Sequence, residues 1–196
     1  VLEPGDMLYL PPMWAHDGIA EGECRTYSVG FRSPKQDELA RELFLRLSDA
    51  PDECPKDVVY KDPKQTAVAH PGEIPAALLD FARQALEKAL AEPLALERAL
   101  GETLSDPKPG VWFEPADDFG LIENVRLNQR TRMLYDAQHI FINGESYLAA
   151  GRDAELMRQL ADTRQLSSAE VQQLSDDALQ LLSSWVDAGW AHSTAG

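Results

Sequence analysis

Glycine, five residues, proline, four residues, histidine: this spacing joins Gly5, Pro11 and His16 near the start of a 196-residue chain. A histidine delivered by such a stretch can hold a metal ion or move a proton near neutral pH. Oxidative chemistry at a non-haem iron asks for more: two imidazoles and one carboxylate on one face, with positions left open for substrate and oxygen. The chain carries His16, His70, His139 and His192, and none is followed two places later by Asp or Glu. Cys24 and Cys54 stand in neither CxxC nor zinc spacing, so the sequence argues for no disulfide and no zinc site.

The elements that would position His16 are readable. Pro4-Gly5-Asp6 is turn chemistry, because proline presets φ, glycine takes unusual backbone angles and aspartate closes the turn. Met7 to Leu10 is an apolar run of strand length, and Pro11 and Pro12 remove two ladder donors, so pairing stops there or lies at an edge. His16 is then expected at the mouth of a sheet. Cys24 to Phe31 reads as a second strand, with Arg25, Tyr27, Val29 and Phe31 on one face and Thr26, Ser28 and Gly30 on the other. Asp17 adjoins His16 outside ligand spacing and reads as a solvated or turn residue.

Gly5, Pro11 and His16 resemble the second half of the cupin signature. The longer pattern is Pro-Gly-Asp, an apolar strand, Pro11-Pro12, His16, then Tyr27 to Arg32. It resembles the JmjC-type ribosomal oxygenases, iron(II)- and 2-oxoglutarate-dependent protein hydroxylases on a double-stranded β-helix, whose bacterial members hydroxylate an arginine of a large-subunit ribosomal protein. The chain departs from the general cupin pattern at Met13, where glycine is common, and at Ala20, where asparagine is common. The resemblance implies that His16 is an iron ligand. It also places Thr26 and Ser28 beside the 2-oxoglutarate pocket, although ordinary strand alternation is the plainer account of both. The resemblance puts the other two ligands in a His-x-Asp or His-x-Glu pair on an earlier strand, absent here. Val1 accordingly reads as an internal start in the last third of a barrel, and the chain as a C-terminal fragment, inactive alone.

Beyond Phe31 the texture becomes helical. Ser33 and Pro34 suit a helix start, and Leu39, Leu43, Phe44 and Leu47 recur at helical spacing from about Lys35 to Ser48. Residues 49 to 75 are rich in proline and loops, with His70 a surface residue before a Pro-Gly turn. Ile74 to Leu90 carries the stripe Leu78, Phe81, Ala82, Ala85, Leu86 and Leu90, and the pattern restarts after Pro93 and runs to Ser105. This pair needs an apolar cover, from its own domain or from a second copy, and the resemblance implies the second copy, giving a homodimer. Asp106-Pro107-Lys108-Pro109-Gly110 reads as a domain boundary.

After that boundary, Val125 to Tyr135 alternates as a strand does, and Asn143-Gly144 between two apolar runs signals a hairpin. Asp153 is a candidate cap for a helix to about Ala161, Ser168 for a second, and Ser175 for a third that buries Leu179, Leu182, Trp185 and Val186. Gly189 ends that helix and Trp190 begins a terminal strand. His139 and His192 read as hydrogen-bonded structural histidines, and Asp117-Asp118 as a solvated loop.

The expected fold is therefore α+β: the end of a double-stranded β-helix (cupin/JmjC), a helical dimerisation region and a winged-helix domain. The expected division is 1–34, 35–107 and 108–196. Net charge is −15, and Val111 to Gly196 holds 6 basic and 13 acidic residues, a balance of −7. Ser175 to Gly189 contains no Lys or Arg, so the winged helix is expected to serve structure or protein contact and not DNA. The acidity permits attraction to a basic protein, with solubility the commoner reason for it. No run approaches membrane-span length and no signal peptide is present, so the cytosol is the expected compartment. There is no P-loop, Gly-x-Gly-x-x-Gly or Gly-x-Ser-x-Gly. Two rivals stand beside the oxygenase reading: a non-oxygenase metal cupin, and a non-catalytic dimerisation or protein-interaction module. Consumption of 2-oxoglutarate by the complete protein separates the oxygenase reading from the cupin.

Overall fold

The computed structural model describes residues 1–31, 33–48, 58–63, 66, 70–115 and 122–194. Arg32, Cys54 and the pair Asp117-Asp118 lie outside the described residues. The chain divides into two compact units, Val1–Pro34 and Lys35–Gly196.

The first unit corrects the sequence expectation of two strands. Glu3 to Asp6 does close a turn: the Asp6 N–H donates to Glu3 O at 3.0 Å, and the Asp6 carboxylate accepts from the Glu3 N–H at 2.8 Å. Neither Met7 to Leu10 nor Cys24 to Phe31 forms a ladder. The physical reason is that a strand borrows its hydrogen bonds from a neighbour, and these two stretches have none among the described residues. Their apolar side chains stay in water, with Met7 93%, Tyr27 86% and Phe31 91% exposed.

The second unit begins with three helices, α1 (Gln36–Ser48), α2 (Ala76–Ala91) and α3 (Ala95–Ser105). Their bounds follow the periodic leucines and the proline stops. α1 and α2 contain no buried residue, whereas α3 buries Ala95, Ala99, Gly101 and Ser105. Leu94, at φ 63°, turns the chain between α2 and α3.

Strand β1 (Asn124–Leu127) and strand β2 (Met133–Tyr135) come next, followed by β3 (His139–Ile142) and β4 (Glu145–Leu148). Helix α4 (Gly151–Thr163), β5 (Gln165–Leu166), α5 (Ser168–Val171), α6 (Asp176–Asp187) and β6 (Ala191–Thr194) complete the chain. All pairings are antiparallel, in one sheet of order β5-β1-β6 and one of order β2-β3-β4. The alternating run Val125 to Tyr135 is thus not one strand. Asn128 breaks it: its side-chain oxygen accepts from the Arg130 N–H at 3.0 Å and its backbone oxygen from the Thr131 N–H at 2.9 Å. The buried Thr131 hydroxyl then donates to Trp190 O at 2.7 Å, fixing the corner against the C-terminal strand.

Asn143-Gly144 forms the two-residue hairpin turn, both at positive φ (48° and 90°), which is the twist-matched geometry for this sequence. Two expected caps move. Ala150, not Asp153, precedes α4, and the Asp153 carboxylate instead accepts from the Ser175 backbone N–H at 3.0 Å and hydroxyl at 2.6 Å. Ser167, not Ser168, caps α5, with Glu170 accepting from its backbone N–H at 2.7 Å. Ser175 does cap α6, accepting from the Ala178 N–H.

The core gathers Val125, Leu127, Ile140, Ile142, Leu156, Leu160, Leu166, Leu182, Trp185 and Val186. Tyr147 meets Trp185 edge-on at 5.7 Å. β3 is buried on both faces. Ile140 and Ile142 enter this core, while Phe141 lies against Gly101 of α3, where any Cβ would overlap the ring. The hairpin is also tied to α3 by polar bonds: Gly144 N–H to Ser105 Oγ at 3.1 Å, Ser146 Oγ to Glu102 at 2.6 Å, and Arg132 to Asp106 O at 2.9 Å.

Gly101→Ala sets a helix-propensity gain of about 1 kcal/mol against an overpacking cost of about 1–3 kcal/mol. A net loss of stability is expected in denaturant unfolding, and trimming the ring as well (Gly101→Ala with Phe141→Leu) should recover most of it. A single variant more stable than the parent would show that the α3–β3 contact is loose.

Candidate functional site

His16, Thr26 and Ser28 all lie in the first unit, and all three are exposed. None of their side chains bonds to a described residue. Two cavities, of about 670 and 470 Å³, lie in the second unit, and none of the three residues lines either. Among the described residues no cluster of three His, Cys, Asp or Glu side chains is disposed to hold a metal ion. An iron of this kind needs three protein arms, which the described residues do not bring together, so they do not by themselves fit the metal, and no reaction step can be drawn through it here.

The other histidines separate cleanly. His139 is only 4% exposed; its Nδ1 sits 3.1 Å from the Asp136 carboxylate, and its ring stacks on Phe141 at 5.4 Å. It is a satisfied structural histidine, as its isolation in sequence suggested. His192 is exposed on β6 opposite Arg126, and His70 is exposed before its turn.

Two titratable groups frame β3 and β4. At Asp136 burial works to raise the carboxyl. The backbone N–H groups of Gln138 and His139 and the His139 ring outweigh it and hold the group below the ordinary carboxylate value. Burial pushes the Tyr147 phenol up to about 12, helped by its hydrogen bond to Glu145. The indole of Trp185 works the other way, although its N–H falls outside hydrogen-bond geometry.

The larger cavity was not foreseen. Arg98 on α3, Leu148 on β4 and Asp177 on α6 line it together, yet they are far apart in sequence and share no spacing. The Asn-Gly turn, which marks β4 as one arm of a hairpin, was the only local signal pointing that way.

Comparison with known proteins adds the lineage. Residues 1–39 match the JmjC domain, and residues 84–192, more than half of the chain, match the ROXA-like winged helix. The chain belongs to the ROXA-like winged-helix family. This family member is 27% identical over 96% of its length to the ribosomal protein uL16 3-hydroxylase of Escherichia coli, of which it covers 52%. It is 24% identical over 97% of its length to a probable ribosomal oxygenase of Haemophilus influenzae, covering 54% of it. The chain therefore spans about half the length of these relatives. Its fold resembles the structure of YcfD, a ribosomal oxygenase from Escherichia coli, in complex with cobalt and 2-oxoglutarate. There the TM-score is 0.62 at 20% identity, covering 84% of this chain and 47% of that one. The α+β class, with a JmjC piece followed by a winged helix, stands on these matches and on the mixed sheet-and-helix architecture. Among the described residues no helix is long and apolar enough to cross a membrane.

The raised Tyr147 pKa has a definite sign. Its contribution to stability is intact below the unfolded value of 10.0, and it is lost as pH climbs toward about 12, because only the unfolded chain ionises freely in that window. Tyr147→Phe should flatten the fall in stability across that interval, read by denaturant unfolding at stepped pH. An unchanged slope would assign the alkaline loss to other groups.

Proposed function

We propose that this chain is the C-terminal part of an iron(II)- and 2-oxoglutarate-dependent oxygenase that hydroxylates an arginine of a large-subunit ribosomal protein in the cytoplasm. The observation that carries this is the succession of a JmjC match and a ROXA-like winged-helix match in one chain, in line with a relative whose name is ribosomal protein uL16 3-hydroxylase. In this reading His16 supplies one imidazole to iron, and the other two ligands come from a His-x-Asp or His-x-Glu pair outside this chain. Thr26 and Ser28 line the 2-oxoglutarate pocket. When bound, iron and 2-oxoglutarate supply the oxidising chemistry, and the protein positions the side chain to be oxidised. The chain alone is inactive. The apolar residues Met7, Tyr27 and Phe31, exposed here, support the reading: side chains of this size call for a cover that the rest of a complete barrel domain would supply.

The working division is 1–34 for the barrel end, 35–107 for the helical region and 108–196 for the winged helix. A homodimer through the helical region is supported by the apolar side chains α1 and α2 leave in water, Phe44, Leu45, Leu79, Leu86 and Leu90 among them. The winged helix acts through protein contact and not on DNA, since the only charged residues of α6 are Asp176, Asp177 and Asp187, and it has no Lys or Arg.

Two measurements test this. In the protein completed with its barrel strands, His16→Ala should lower hydroxylation coupled to 2-oxoglutarate turnover by about 100-fold or more, as losing one of three ligands demands. Unfolding of the winged helix should be unchanged. Turnover at the parent rate would remove His16 from the metal. Separately, the solution mass of the chain should double with rising concentration, and Leu79→Glu with Leu86→Glu should hold it at one copy. A mass that stays at one copy throughout would exclude the dimer.

A further inference from the structure

The free side of β4 opens into the larger cavity. Because the hairpin turn has two residues, Ile142 and Glu145 close it as a hydrogen-bonded pair. Bonded and non-bonded pairs alternate in antiparallel sheets, so Phe141–Ser146 and His139–Leu148 are non-bonded pairs. The next bonded position agrees: the Ala149 N–H donates to Gln138 O at 3.1 Å. The N–H and C=O groups of Ser146 and Leu148 therefore point away from β3. β4 is the edge strand of its sheet, and its Ser146 to Ala150 stretch forms one wall of the 670 Å³ cavity. Arg98 of α3 stands on a second wall, and Asp177 and Leu181 of α6 on a third. Leu148 is 75% exposed there, an unusual position for a leucine beside an open ladder.

We propose that this groove takes an extended, basic segment of a partner protein, which adds to β4 as a further strand. Main-chain bonds to Ser146 and Leu148 supply the register, and Leu148 and Leu181 receive its apolar side chains. Charge selects the occupant. The groove presents two carboxylates, Asp153 and Asp177, against one guanidinium, Arg98, on a chain of net charge −15. A second copy of this chain would bring the same carboxylates into the groove and be repelled. The proposal does not depend on the oxygenase reading, because every group it uses lies in the second unit.

The test follows individual amide protons of the intact chain by NMR hydrogen exchange, with the capped peptide acetyl-(Lys-Val)3-amide as probe at up to about 1 mM, where a weak site of about −4 kcal/mol is half filled. Exchange at Ser146 and Leu148 should slow about twofold at half filling. A Glu-Val counterpart, and a Lys-Val peptide N-methylated at every second residue, should leave both amides unchanged. Leu148→Pro removes an outward donor without touching a bond to β3, and it should abolish the response. If that variant fails to fold, the N-methylated peptide still decides. No slowing with the Lys-Val peptide would overturn the proposal, as would equal slowing with the methylated one. Equal slowing with the Glu-Val peptide would overturn the basic occupant, and slowing on concentrating the chain without peptide would assign the groove to a second copy.

Discussion

Burying both faces of one four-residue strand holds the second unit together. Ile140 and Ile142 need the winged-helix core on one side, and Phe141 and His139 need a cover on the other. That cover is α3, and the fit is close enough that position 101 admits only hydrogen where a side chain would stand. The helical region and the sheet are consequently one cooperative body, although a proline-rich link separates them in sequence. The polar bonds at the hairpin serve the same end. Ser105 and Glu102 satisfy groups at the partly buried part of the contact, and Arg132 adds a bond at its exposed rim.

The two units show opposite regimes of the same physics. Helices α3 and α6 close their own hydrogen bonds, and their apolar stripes find partners within the chain, so local sequence suffices to build them. The strand-like stretches of the first unit close none of their own. Their hydrophobic alternation is real, but alternation states a need for neighbours and cannot provide them. The same logic applies to His16. A single imidazole fixes neither a metal nor its geometry, and the described residues bring no further donors to it.

How far the sequence could be read follows from this. The positions of α1, α2, α3 and α6, the Ser175 cap and the Asn143-Gly144 turn were legible, because each is set by residues within a turn or two of one another. The run Val125 to Tyr135 was misread, since the side chain that breaks it, Asn128, looks like any polar member of an alternating strand until Thr131 and Trp190 hold the corner. Asp153 was misassigned for a similar reason. Its preference for a helix start is genuine, but a better use of the same carboxylate comes from Ser175, twenty-two residues on. The candidate site was legible only as far as its family pattern, and the cavity beside β4 was invisible because long-range packing alone creates it.

The turn at Asn143 and Gly144 has a further consequence. An asparagine followed by glycine is the sequence most given to spontaneous ring closure, in which the glycine nitrogen attacks the asparagine side-chain carbon and ammonia departs. Here the Gly144 nitrogen is engaged with Ser105, and the Asn143 side-chain oxygen accepts from the Arg132 N–H at 3.0 Å, with the residue only 8% exposed. The contact that joins α3 to the sheet thereby shields the hairpin from chemical ageing, and slow deamidation at this turn becomes a clock for how often that contact opens.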